Sequence, residues 1–152
     1  MGLKISEIVS IALLAFVGGL YWGPWVALTR TIGTFSPEVL LVVVKRMSRN
    51  MAPVMTILMP LALLSTVSVL IFSFDNRPHT FYLALAALAL FIVTLIVTLV
   101  VEVPIVTKMD SWTPSTIPGD WEQLRDRWGS FHLLRIVPAV AGLILLIIGA
   151  IL

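Results

Sequence analysis

Four apolar stretches, at about residues 5–29, 51–74, 80–103 and 133–152, constrain this chain more than any other feature. Each is as long as the roughly 20 residues a helix needs to cross the hydrocarbon of a bilayer. In that medium every backbone N–H and C=O must be bonded internally, and an unbroken apolar run achieves this only as a helix. Only 12% of the 152 residues are charged, about half the share usual in soluble domains. No segment between the runs is long enough to form a soluble domain. The expected fold is therefore all-α: one four-helix transmembrane bundle over residues 1–152, with cytoplasmic-side amphipathic helical extensions before the second and fourth spans. Lys4 ahead of the first run imitates a signal peptide, but the run is long and lacks a small-x-small site, so an uncleaved span is expected.

The polar residues concentrate in Gly119-Asp120-Trp121-Glu122-Gln123-Leu124-Arg125-Asp126-Arg127-Trp128-Gly129-Ser130-Phe131-His132-Leu133-Leu134-Arg135. Pro118 and Gly119 mark a helix start. Asp120 with Gln123 three residues later suits a capping box. On a helix, Trp121, Arg125, Trp128, His132 and Arg135 fall at alternating four- and three-residue steps and share one face. Ala139 and Gly142 continue that stripe as small residues suited to close helix contact. Glu122, Asp126 and Gly129 lie opposite. Two readings stand side by side. Trp and Arg anchor spans at the lipid–water boundary, or the stripe is an inward-facing polar site.

Smaller signals surround this stretch. Gly19 and Gly23, four apart, allow close helix approach. Pro24 should kink the first span. Tyr21, Trp22 and Trp25 cluster there, either as an interfacial belt or as the aromatic wall of a pocket. Ser36-Pro37-Glu38 is a helix start. The helix it opens carries the basic cluster Lys45, Arg46 and Arg49, and either lies at the membrane surface or extends the second span. Pro60 should bend that span. Asp75-Asn76-Arg77-Pro78-His79 makes a tight turn that pairs the second and third spans as an antiparallel hairpin, with His79 on the solvent side. Pro104 should end or kink the third helix, and residues 107–118 then form a connecting loop.

Glu102 is a carboxylate fused to the end of the third apolar run without an intervening polar residue. An acid at that depth needs a partner. The third span ends and the fourth begins on one side of the membrane, so a Glu102–Arg135 or Glu102–His132 contact is expected. Arg30, Lys45, Arg46, Arg49, Lys108, Arg125, Arg127 and Arg135 lie on that side, against Lys4 and Arg77 on the other. The excess places the first and third loops in the cytoplasm and both termini outside, unless some of these Arg sit in a pocket.

Several chemistries are excluded or weakened. There is no cysteine, hence no disulfide or thiol nucleophile. A net charge of +2 without a basic–aromatic cluster gives no nucleic-acid footprint. His79 and His132 belong to opposite ends of the bundle, about 30 Å apart, which disfavours bis-histidine haem within one chain. His132 and Glu102 are too few to specify a metal. Phosphate-loop, nucleophile-elbow and broken-helix transporter patterns are missing.

Val101-Glu102-Val103-Pro104-Ile105, Trp112, Pro118-Gly119-Asp120-Trp121, Arg125-Asp126-Arg127-Trp128 and His132-Leu133-Leu134-Arg135 together resemble the C-terminal signature of the anthrone-oxygenase-like family of small four-helix membrane proteins. Gly18-Gly19 and the aromatics after them extend the likeness. Where members often carry a polar residue after Val-Pro-Ile, this chain has Val106. The resemblance implies oxidation of a hydrophobic aromatic compound without a cofactor. On that reading His132 is the general base and Arg125 or Arg135 holds the resulting anion. Glu102 is the counter-charge, and Trp121, Trp128 and Trp22 pack on a flat substrate. The alternative class is non-catalytic: a membrane subunit, or a binder of lipid or quinone. The expected partners are the lipid bilayer, a hydrophobic aromatic, quinone or lipid ligand, and a protein partner or a second copy; no metal is expected.

Overall fold

The structure is a computed structural model that describes residues 1–152, apart from the side chain of Thr29. It consists of helices and their connections. Helix α1 spans Gly2–Ala27 and runs into a 3₁₀ segment, Thr29–Thr34. Helix α2 is Pro37–Ser73, and α3 is Pro78–Val97. A π-helical turn, Thr98–Glu102, joins α3 to α4, Val103–Asp110. Helix α5 is Trp121–Ile151. Four of these rods, with α3, the π turn and α4 counted as one, are long and apolar enough to cross a membrane.

The caps explain some of the boundaries. Ser36 caps α2 through its side chain, which accepts from the Val39 N–H at 3.4 Å. Helix α2 then continues without a break past Pro53 and Pro60. At 37 residues it is about 55 Å long, well beyond the hydrocarbon thickness. The basic cluster therefore extends the second span instead of lying on a separate surface helix. The turn at 74–77 makes the expected hairpin of α2 and α3, with His79 exposed.

Three local expectations are corrected. Helix α5 starts where foreseen, but Asp120 makes no side-chain cap bond, so the capping box does not form. The Gln123 N–H instead reaches the Asp120 main-chain carbonyl at 3.1 Å. Pro104 does not end the third rod. A proline lacks an N–H and crowds the carbonyl four residues back. The wider π turn absorbs that conflict: the Val103 N–H reaches back five residues to the Thr98 carbonyl. The helix then continues to Asp110, so the connecting loop begins at Ser111. Gly19 and Gly23, finally, have no side chain or neighbouring backbone within 4 Å of where a Cβ would stand. The close approach occurs at Gly142, where a Cβ would lie 2.8 Å from the Phe91 ring.

The interior has two apolar clusters. One fills the middle of the bundle with Leu14, Val17, Met59, Ala62, Phe91, Ile136 and Ala139. The other gathers Leu40, Leu41, Val44, Ile105, Met109, Trp112 and Trp128 at the end where α4 packs on α2. Along α5, Trp128 belongs to the second cluster and Ile136 to the first. Residues between them therefore sit at the junction of the two. Large apolar side chains such as Phe16, Ile57, Val100 and Ile148 face outward, as a lipid-bathed surface requires. Polar contacts tie the rods together: Ser10 to Thr66 at 2.8 Å, and Thr80 Oγ1 donating to the Gly149 carbonyl at 2.7 Å.

Candidate functional site

The junction of the two apolar clusters holds a polar layer. The helical spacing of α5 turns Arg125, Trp128, His132, Arg135, Ala139 and Gly142 inward, and all six are buried. His132 is fully enclosed, at 0% exposure, and Glu102 is at 3%. The π turn supplies Glu102 and the segment's first residue, Thr98, while α1 supplies Tyr21.

The contacts fix the chemistry of the imidazole. His132 Nε2 lies 3.1 Å from the main-chain carbonyl of Tyr21. A carbonyl only accepts, so Nε2 carries the hydrogen and donates it. Nδ1 is then the lone-pair nitrogen, and Arg135 Nη2 donates to it at 2.7 Å. The same Nη2 is 3.4 Å from Glu102 Oε2, which stands 3.9 Å from His132 Nδ1. Arg135 Nη1 reaches Thr98 Oγ1 at 3.4 Å, and the guanidinium lies 4.5 Å over the Tyr21 ring. The expected contact of Glu102 with Arg135 or His132 is therefore present, and acid, guanidinium and imidazole form a triangle.

This layer is only partly satisfied. Glu102 Oε1, Arg135 Nε and Trp128 Nε1 are buried without a hydrogen-bond partner. The Tyr21 hydroxyl lies beside Thr98 but forms no well-directed bond there. A buried polar atom left unpaired costs about 1–3 kcal/mol. Native interiors carry few of them, and strain, a catalytic role, or a bound water or ion accounts for those that persist.

Trp128 links this layer to an outer one, its ring 5.7 Å from that of His132 and tilted by 43°. Beyond it, Arg125 lies 5.0 Å over the Trp121 ring and is held by Asp126 at 2.8 Å and Glu122 at 3.7 Å. Arg125 is thus engaged at the end of the bundle, and Arg135 is the guanidinium beside His132. Trp22 does not join the group: it is 48% exposed and packs on Trp25 at 5.0 Å. Its neighbour Tyr21 points inward instead, because successive helix residues face about 100° apart.

Several participants were not singled out in the sequence. Lys45, read in the sequence only as one of a basic cluster, is half-buried, and its ammonium donates to the Trp112 carbonyl at 2.8 Å, pinning the connecting loop to α2. Thr98 carried no signal. Glu7 is a second buried acid, 3.1 Å from Lys4 at the other end of the bundle. An acid just inside an apolar run, three residues after a lysine, was the available sign. Among the described residues no three His, Asp or Glu side chains converge as metal ligands would.

Residues 49–145, well over half of the chain, match the family described as anthrone oxygenase. The chain belongs to the anthrone oxygenase family. The match takes in Glu102, Trp112, Trp121, Arg125, Trp128, His132 and Arg135, and leaves Tyr21, Trp22 and Lys45 outside. No curated protein and no solved structure matches the chain.

Proposed function

We propose that this family member is a membrane-embedded oxygenase that takes a proton from a hydrophobic aromatic of the anthrone type at His132 Nδ1. One observation carries the reading. The tautomer held by the Tyr21 carbonyl leaves a lone pair on a fully buried imidazole, flanked by an acid and a guanidinium that both have unpaired atoms. Arg135 rotates from Nδ1 onto the substrate oxygen, where it stabilises the enolate as charge develops. Nδ1 accepts the proton from the ring methylene, and Glu102 Oε2 faces the imidazolium that results. The enolate carbon transfers electrons to molecular oxygen and binds it as a hydroperoxide. Loss of water then leaves the carbonyl. One oxygen molecule is consumed per substrate; one of its atoms is retained and the other leaves in water with the two methylene hydrogens. The reading needs no cofactor. Trp128, and Trp121 beyond it, offer flat apolar faces to the rings.

The test is oxygen uptake by purified protein supplied with 1,8-dihydroxyanthrone. Turnover is expected to fall at least about 100-fold in His132→Ala, the usual scale for a lost general base. Undiminished turnover in folded His132→Ala would refute the proposal.

A second reading rests on the same 2.7 Å contact, because Arg135 fills the lone pair that a base needs. On that reading the layer is a structural network in a non-catalytic subunit or a lipid or quinone binder. Absence of oxygen uptake, together with destabilisation by His132→Ala, would favour it.

We also propose that the first and third loops face the cytoplasm and both termini lie outside. Arg135 and Arg125 are buried and Lys45 is engaged with Trp112. Arg30, Arg46, Arg49, Lys108 and Arg127 still outnumber Lys4 and Arg77.

A further inference from the structure

A cleft of about 150 Å³ opens between the end of α4 and the start of α5. A water's share of liquid volume is about 30 Å³, so the cleft has room for a small polar group and its first carbons. Trp112 and Trp121 form its apolar walls, and Lys108 and Arg127 its cationic ones. Among the described residues neither cation pairs with a carboxylate, whereas Arg125 nearby holds two. Asp120 is the one acid in the lining and leaves a positive balance.

We propose that this cleft binds the anionic headgroup of an amphiphile, a phosphate or carboxylate, with the apolar body laid along the indoles. The two cations come from separate elements, one in the last turn of α4 and one in the second turn of α5. They meet only because the connecting loop folds the chain back. Anchoring at a lipid surface does not need cations to converge; it needs only a basic surface, which Arg46 and Arg49 already supply. The cleft is distinct from the polar layer: neither His132 nor Glu102 lines it. Trp121 and Leu124 in its wall and Trp128 at the layer follow helical spacing on one face of α5.

The experiment is native mass spectrometry of the full chain released from micelles holding equal amounts of phosphatidylglycerol and phosphatidylcholine. Preferential retention of phosphatidylglycerol is expected. It should fall about tenfold or more in the pair Lys108→Gln with Arg127→Gln, each charge near a lipid surface contributing modestly. Removing the same charge with Arg46→Gln and Arg49→Gln should leave the preference unchanged. A second arm uses 2-naphthoate in lipid-free micelles and reads tryptophan quenching, which tests whether the acid of a small aromatic occupies the cleft instead. A preference in either arm that the cleft variants lose supports the proposal and names the source. Equal retention of the two lipids with no naphthoate quenching overturns it, as does equal loss in the Arg46 and Arg49 variants. Both readouts are binding, so they stand apart from turnover at His132.

Discussion

Glu102 and Arg135 should behave as one unit in stability, and a mutant cycle can measure this. Their charged atoms are 3.4 Å apart and both side chains are buried. At an effective dielectric of about 20 the gross attraction at that distance is about 5 kcal/mol, much of it offset by the cost of drying both groups. Glu102→Gln leaves the guanidinium buried without its counter-charge. It keeps only the imidazole, Thr98 and the Tyr21 ring. The expected loss is about 3 kcal/mol, the low end for breaking a buried pair, because Gln preserves shape and one acceptor. Arg135→Met strands the acid beside the lone pair of His132, and about 4 kcal/mol is expected. With Glu102→Gln and Arg135→Met together no charge is stranded. The remaining deficit is the unpaired Nδ1, about 1–2 kcal/mol. The double variant should thus be more stable than either single one. Unfolding by SDS titration, followed by tryptophan fluorescence, reads all three, with Trp128 close enough to the layer to report it. A double variant whose loss equals the sum of the single losses would mean that the two residues do not communicate, and the polar layer as described would be wrong.

Other outcomes follow from packing and placement. Gly142→Ala drives a methyl to within 2.8 Å of the Phe91 ring, a ring with no exposure, so a loss of about 1–3 kcal/mol is expected. Gly19→Ala and Gly23→Ala meet open space and should be neutral or stabilising by up to about 1 kcal/mol; denaturation of all three in parallel checks this, and a loss at Gly19 like that at Gly142 would point to a partner on α1. The chain has no cysteine, so single cysteines at Ser115 and Asn76 can be labelled without background. An impermeant maleimide added to intact cells should modify Asn76→Cys and spare Ser115→Cys; the reverse pattern would invert the topology.

Much of the layer was legible because helical spacing and depth are both written in the residues. The four- and three-residue steps from Trp121 to Gly142 need no partner to be read. Glu102 at the end of an apolar run demands a counter-charge that only the next span can offer. What was hidden depended on a neighbour. The sequence places Gly19 and Gly142 on helices alike, yet only Gly142 faces a ring that leaves no room. Tyr21 and Trp22 are adjacent aromatics, and a rotation of about 100° decides which one meets Arg135. Pro104 reads as a stop or a kink, because a proline's conflict with the preceding turn is visible while the widened turn that resolves it is not. Asp120 has the chemistry of a cap, but the Gln123 N–H takes its main-chain carbonyl and leaves the side chain unused.

That widened turn reaches beyond its own five residues. The inward positions of the third rod run Ala84, Ala87, Phe91, Thr94, then Glu102 as the last residue of the turn, and Ile105 and Met109 past it. A rod of uniform pitch would have carried Val101 to the inner face and sent the acid a quarter-turn or so toward lipid. The surplus residue acts like a vernier between two threads of the same screw. It lets the upper thread mesh with α5 and the lower with α2 while delivering one carboxylate between them. Sequence length within 98–102 therefore matters to this protein more than side-chain identity at Leu99 or Val100, both of which look outward.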